Sequence, residues 1–183
     1  PRADLGVAEV PGALDECKVL AGRFRLAHVG AGFKGGLFVA SLYWWCSEGL
    51  SPRSLAVLEA AAKVLRRLRG PWVLGAEFNC PPEVLRRSRW LELVDGVCVT
   101  TGRATCRGIE DDFFVICRPL LPAVAAIAVV NDTGAGPHSA VRLLLRASAR
   151  SDNIKVMLSP AKPPPLLPSG CLPLAASQGW GDI

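Results

Sequence analysis

Apolar residues in this chain form short continuous runs separated by one long segment with helical periodicity. Residues 37–45 (LFVASLYWW) are rich in aromatic and β-branched side chains, which predicts a buried strand. Residues 51–70 place leucine and alanine on one face at helical spacing, with Ser51 as N-cap and Pro52 at the first helical position. Residues 71–76 (PWVLGA) predict a second strand. The order strand, helix, strand indicates an α/β domain with helices packed outside a sheet.

The rest of the chain predicts one more helix and several short strands. The helix runs from Pro82 to about Leu93. Turn-rich segments separate the predicted strands, which lie at residues 97–100, 113–117, 124–130 and 141–145. The first 36 residues contain several glycines that suggest a turn, and they predict no clear helix or strand.

The C-terminal part breaks this pattern. Residues 154–158 predict one more strand, at an edge of the sheet. Residues 161–170 (AKPPPLLPSG) are typical of a proline-rich linker or a disordered tail. We therefore expect residues 1–149 to form the folded domain and residues 150–183 to follow it as edge strand and tail.

Composition supports a globular chain that has no membrane span. Half of the 183 residues are hydrophobic, which is ample for one buried core. The longest uncharged apolar stretch, residues 120–130, contains Pro122 and is much shorter than the roughly 20 residues that cross a bilayer. The seven cysteines show no C-x-x-C spacing and lie partly inside apolar runs, so they are expected to be buried and reduced. Reduced thiols favour a cytoplasmic or nuclear location.

The net charge of +5 comes from 16 arginines and 5 lysines against 16 acidic residues. Guanidinium groups suit phosphate, and this mildly favours an anionic partner. Codon composition accounts for a charge of this size equally well.

Three polar islands interrupt the apolar strands. Glu77 and Asn79 follow the strand in GAEFN, residues 110–112 form an acidic triplet before FFVI, and His138 precedes the strand at 141–145. Each island lies at a strand edge, where an α/β sheet presents its functional loops.

In their order and spacing, these islands resemble the C-terminal half of the endonuclease/exonuclease/phosphatase superfamily. The family motifs read GDFN, IDYF and SDHxPV; the counterparts here are residues 76–79 (AEFN), 111–114 (DDFF) and 136–141 (GPHSAV). The resemblance covers roughly residues 37–145. It implies an α/β (α+β) fold, the DNase-I-like two-sheet β-sandwich flanked by helices, and we expect it to be truncated at the N-terminus.

The resemblance implies metal-assisted hydrolysis of a phosphate ester, with Mg²⁺ as cofactor and nucleic acid or another phosphate ester as partner. In that scheme Glu77 binds the metal and is the catalytic carboxylate. Asn79 and a cationic His138 donate to the phosphoryl oxygens, and Asp112 orients and charges the imidazole. One form of this hypothesis is the endonuclease part of a mobile-element protein.

Departures from the family pattern support a second hypothesis. Glu77 stands where the family has Asp, and a displacement on the order of 1 Å at a reacting centre can cost about 100-fold in rate. Pro137 stands where an Asp precedes the His, and proline offers neither a carboxylate nor an N–H. Residues 1–36 show no counterpart of the family's N-terminal Asn and metal-binding Glu. We therefore expect impaired or lost catalysis, and the alternative is a non-catalytic nucleic-acid-binding or scaffold domain.

Each candidate also has a purely structural interpretation. Asn79 would shape the turn into the next helix, and His138 would be a loop histidine with a local partner. The acidic triplet would be a solvated loop. For Asp112 the four apolar residues that follow it favour a buried hydrogen bond instead.

Overall fold

The computed structural model describes residues 6–10, 18–46, 48–130 and 136–146. Its strands are β1 (Val7–Glu9), β2 (Phe24–Val29), β3 (Leu37–Tyr43), β4 (Trp72–Glu77), β5 (Gly96–Val99), β6 (Asp112–Cys117), β7 (Val124–Val130) and β8 (Ala140–Leu145). Its α-helices are α1 (Pro52–Leu65), α2 (Pro82–Arg87) and α3 (Trp90–Leu93). Short 3-10 turns at Lys18–Leu20 and Arg118–Ala123 complete the described elements.

Six strands form one mixed sheet in the order β1-β2-β3-β4-β6-β5. The β3–β4 pair is parallel, and all other pairs in this sheet are antiparallel. Helix α1 makes the crossover between the two parallel strands, which places the carboxyl ends of β3 and β4 side by side. Strands β7 and β8 form a separate antiparallel pair, and β8 contacts β6.

Helix α1 begins and packs as its sequence predicts. The Ser51 side chain accepts a hydrogen bond from the Ser54 N–H at 3.2 Å, and Pro52 occupies the first helical position. Its apolar face, which includes Val57, Leu58, Ala61 and Leu65, is buried in the same core as the inner side chains of β3 and β4. Full burial of a valine or leucine side chain contributes about 1.5–3 kcal/mol.

The predicted strands at residues 37–45, 71–76, 97–100, 113–117, 124–130 and 141–145 are present, with ends shifted by up to two residues. Strand β2 was not predicted, because its pattern FRLAHV mixes charged and apolar residues, although it lies between β1 and β3 in the sheet. Gly32, Gly35 and Gly36, all with positive φ, form the turn that joins β2 to β3.

The predicted second helix is divided into α2 and α3. Ser88 interrupts it with an extended ψ of 147°, and its hydroxyl donates to the Leu85 carbonyl at 2.7 Å and accepts from the Trp90 N–H at 3.3 Å. The break lets Trp90 enter the core, where its indole N–H donates to the Leu58 carbonyl at 2.6 Å. One continuous helix from Pro82 to Leu93 was therefore the wrong prediction.

Within the described residues, every helix falls short of the length and apolar character that a membrane crossing requires. The strand predicted at 154–158 and the proline-rich segment at 161–170 lie outside the described residues.

Candidate active site

The end of β4 and the start of β6 bring two carboxylates together. Glu77 is the last residue of β4, Asp112 is the first residue of β6, and the two are directly paired across the antiparallel ladder. Directly paired residues point to the same face of a sheet. Both side chains are about a quarter exposed, at 26% and 22%, so solvent ions and a substrate can reach them.

The segment before β8 adds an imidazole to this pair. The His138 Nδ1–H donates to Asp112 Oδ2 at 2.9 Å, and its Nε2 lies 3.7 Å from Glu77 Oε1. One ligand atom from each of the three residues lies within 4.8 Å of the others. The structure thus brings together three of the four residues selected from the sequence.

The charge state of His138 follows from these contacts. The hydrogen bond to Asp112 raises the pKa of the imidazole above its usual value, and the neighbouring carboxylates add to this while partial burial opposes it. Burial and the adjacent Asp112 charge raise the pKa of the Asp111 carboxyl. The cluster therefore favours a protonated imidazole that donates from both ring nitrogens.

Thr105, which the sequence analysis did not select, holds the acidic and histidine segments in place. This side chain is only 2% exposed, and its hydroxyl accepts from the Asp111 N–H at 3.0 Å and the Asp112 N–H at 2.9 Å. Its carbonyl accepts from the Ser139 N–H at 2.7 Å. One residue thus fixes the backbone on both sides of the Asp112–His138 hydrogen bond. A threonine in a polar loop carries no sequence signal for this role.

Asn79 and Glu110 lie close by but make other contacts. The Asn79 side-chain N–H donates to the Trp44 carbonyl at 3.1 Å, and its backbone has a positive φ of 50°. Asn79 therefore links the segments that follow β3 and β4. The Glu110 carboxylate accepts from the Thr101 N–H at 2.5 Å and the Thr101 hydroxyl at 2.8 Å, and it orders the preceding loop.

A second residue that the sequence analysis left out is Tyr43. It is the last residue of β3, is directly paired with Glu77, and is 43% exposed. The adjoining Trp44 N–H donates to the Glu77 carbonyl at 2.9 Å, so the two strand ends are locked together. The parallel pairing of β3 and β4 was the available signal, because it places the end of LFVASLY beside the end of WVLGAE.

Comparisons with known proteins identify the fold. Neither a protein-family model nor a curated protein matches this chain. Among solved structures, it is similar to the endonuclease domain of TRAS1, a telomere-specific non-LTR retrotransposon, with 13% identity and a TM-score of 0.61 over 78% of this chain and 69% of that one. It is also similar to NExo, a 3'-5' exonuclease from Neisseria meningitidis, with 15% identity and a TM-score of 0.50 over 76% of this chain and 70% of that one. These likenesses confirm the predicted DNase-I-like α/β fold.

Proposed function

We propose that this chain, which has the DNase-I-like fold, hydrolyses phosphodiesters with the help of a divalent cation. The observation that carries the proposal is the convergence of Glu77, Asp112 and His138 within 4.8 Å at one mouth of the sheet. Two carboxylates beside an imidazolium form a poor site for a bare phosphate, because the acids repel it. A divalent cation between the acids and the phosphate removes that conflict.

The donor set suits a hard cation. Mg²⁺ is usually bound through one or two carboxylates, with waters and substrate phosphate oxygens filling the other positions. Glu77 is the better candidate ligand, because Asp112 is already hydrogen bonded to His138 at 2.9 Å. When bound, the cation would supply Lewis-acid polarisation of the phosphoryl oxygen and neutralise its charge.

The side chains of the site would then orient the imidazole, donate to the phosphoryl oxygen and accept a proton from water. Asp112 keeps the imidazole protonated and oriented, which leaves the Nε2–H of His138 directed towards the Glu77 side of the site, 3.7 Å from Oε1. That N–H would donate to a phosphoryl oxygen as negative charge develops. The Glu77 carboxylate has a second oxygen, which would accept a proton from the attacking water as the water oxygen bonds to phosphorus. The P–O bond to the leaving alkoxide would break in the same step, and the alkoxide would take a proton from solvent.

A second candidate function is binding of nucleic acid without catalysis. The specific observation in its favour is that the Asn79 amide is engaged with the Trp44 carbonyl at 3.1 Å, so one of its two N–H donors is not available to a phosphate. Pro137 next to His138 also supplies no carboxylate. Both features would lower the rate of hydrolysis while leaving an anion-binding surface.

A plasmid-nicking assay with Mg²⁺ tests the proposal. We expect wild type to nick supercoiled DNA slowly. The nicking rate should fall about 100-fold or more in Glu77→Gln and in His138→Ala, which is the usual contribution of a general base or of a hydrogen-bond donor to the transition state. Glu83→Gln is the matched control, since Glu83 lies on α2 with a 61% exposed side chain. Equal nicking by wild type and His138→Ala would contradict the hydrolase and favour the binding function.

Cation binding gives a readout that does not depend on turnover. Titration calorimetry with Mn²⁺ should show a site in wild type and in Glu83→Gln that is lost in Glu77→Gln. Retention of the site in Glu77→Gln would show that another group holds the cation.

A further inference from the structure

A row of paired residues leads from the candidate active site across the sheet. Glu77 is paired with Asp112 on one side and with Tyr43 on the other. The Tyr43 N–H donates to the Arg23 carbonyl at 2.8 Å, which extends the row to the residue just before β2. Because paired residues on neighbouring strands share a face, all four side chains lie on the same face of the sheet.

At the far end of this row, Arg23 belongs to a cationic cluster in which Arg23 and Arg53 both contact the Trp45 ring. The Arg23 guanidinium carbon lies 3.0 Å from the centroid of the Trp45 ring and 5.2 Å from that of Tyr43. The Arg53 guanidinium carbon lies 3.5 Å from the Trp45 centroid. Cation–π contacts of this kind hold a guanidinium in a fixed place without neutralising it.

The two arginines of the cluster differ in their carboxylate partners. Arg53 forms an ion pair with Glu48, which also accepts from the Ser51 hydroxyl at 2.9 Å. In the part of the chain that the structure describes, Arg23 has no carboxylate within ion-pair distance; its charge helps the closer Arg53 to lower the pKa of Glu48, and its Nη1 donates to the Tyr43 carbonyl at 3.3 Å. Arg23 therefore keeps a positioned charge that an anion can use.

The distance between Arg23 and Glu77 suits a ligand that carries several phosphates in a chain. Neighbouring strands lie about 4.8 Å apart, so the backbones of Arg23 and Glu77 are separated by roughly 10 Å. The two side chains start two strands apart with Tyr43 between them, so each can contact a different phosphate. In a duplex, the phosphates of one strand repeat about every 3.4 Å along the helix axis, so a phosphate a few nucleotides along the strand would lie at Arg23. Tyr43, 43% exposed, offers a ring to a base in between.

We propose that the Arg23 side chain, held by Trp45, binds a flanking phosphate of a polynucleotide strand whose scissile phosphodiester lies at Glu77 and His138. This inference rests on the proposed function and narrows its substrate to a polynucleotide, as opposed to a mononucleotide or a lipid phosphate.

Binding of a fluorescein-labelled single-stranded 12-mer, followed by anisotropy with Ca²⁺ in place of Mg²⁺, tests the contact directly. Arg23→Ala should weaken binding about three- to tenfold and reduce the slope of log K against log[salt] by about 0.7, the loss of one phosphate contact on a single strand. Arg23→Lys should restore the slope, which shows that the loss in Arg23→Ala is not misfolding. Arg89→Ala, which removes an 85% exposed side chain just before α3, should match wild type, and Arg53→Ala should lose less affinity than Arg23→Ala.

The outcomes separate this inference from the proposed function. Hydrolysis of bis(p-nitrophenyl) phosphate, which is too short to reach Arg23, should be equal in wild type and Arg23→Ala, while cleavage of the 12-mer falls. If wild type hydrolyses neither substrate, the proposed function is wrong and the anisotropy data still decide the phosphate contact. The proposed phosphate contact of Arg23 is wrong if wild type does not bind the 12-mer or if Arg23→Ala keeps the wild-type salt slope. It is also wrong if Arg89→Ala lowers the salt slope as much as Arg23→Ala does.

Discussion

Thr105→Val tests whether one buried hydroxyl holds the candidate site together. Valine has nearly the same shape as threonine, so this substitution removes the hydroxyl without opening a cavity. The hydroxyl accepts two backbone N–H groups, those of Asp111 and Asp112, at 3.0 and 2.9 Å. The variant therefore leaves two donors without their acceptor.

The magnitude follows from these two contacts. A buried donor left unsatisfied costs about 1–3 kcal/mol, and Asp111 and Asp112 are half-buried, so the lower part of that range applies to each. We expect Thr105→Val to lose about 2–4 kcal/mol of unfolding free energy. Thr105→Ser keeps the hydroxyl and loses one methyl group, for which about 1 kcal/mol is expected.

Urea unfolding followed by tryptophan fluorescence measures both variants. With a slope of about 2 kcal/mol per M, Thr105→Val should shift the midpoint down by roughly 1–2 M and Thr105→Ser by about 0.5 M. NMR of the His138 ring should show a lower imidazole pKa in Thr105→Val, because the Asp112 carboxylate is no longer held against it. Equal midpoints for the valine and serine variants would refute this account of Thr105.

Three further predictions concern the same site and its support. In Asp112→Asn, NMR titration in EDTA should show the His138 pKa falling, since the hydrogen bond that raises it most is weakened; an unchanged value would contradict that cause. Because the folded-state pKa of His138 is raised, its stabilising contribution is present below the unfolded pKa of about 6.5 and is lost as pH rises through the folded value. Urea midpoints of wild type and His138→Gln should therefore differ at about pH 6 and converge at about pH 9. Phe78→Ala should cost about 3–5 kcal/mol by denaturant unfolding, because Phe78 is 0% exposed and stacks on Phe113 at 4.2 Å; a loss below about 1 kcal/mol would contradict that packing.

Local sequence signals were sufficient to predict the helices and strands that have a strong hydrophobic pattern. Helix α1 has a serine cap, an early proline and a leucine stripe, so its start was predictable at Ser51 and Pro52. Strands β3, β4 and β7 are apolar enough to be recognised from composition alone. The motifs around Glu77, Asp112 and His138 suggested the fold through their resemblance, in order and spacing, to those of a known superfamily.

The tertiary structure decided which polar groups meet. Pairing of β4 with β6 places Glu77 opposite Asp112, although 34 positions separate them in the sequence. No local pattern distinguishes Thr105 from any other loop threonine, and Tyr43 gained its place only through the parallel pairing with β4. The break at Ser88 likewise goes together with a long-range contact, the hydrogen bond of buried Trp90 to the Leu58 carbonyl. Sequence periodicity reports which face of an element is buried, whereas contacts between distant strands depend on register, and register is a property of the whole sheet.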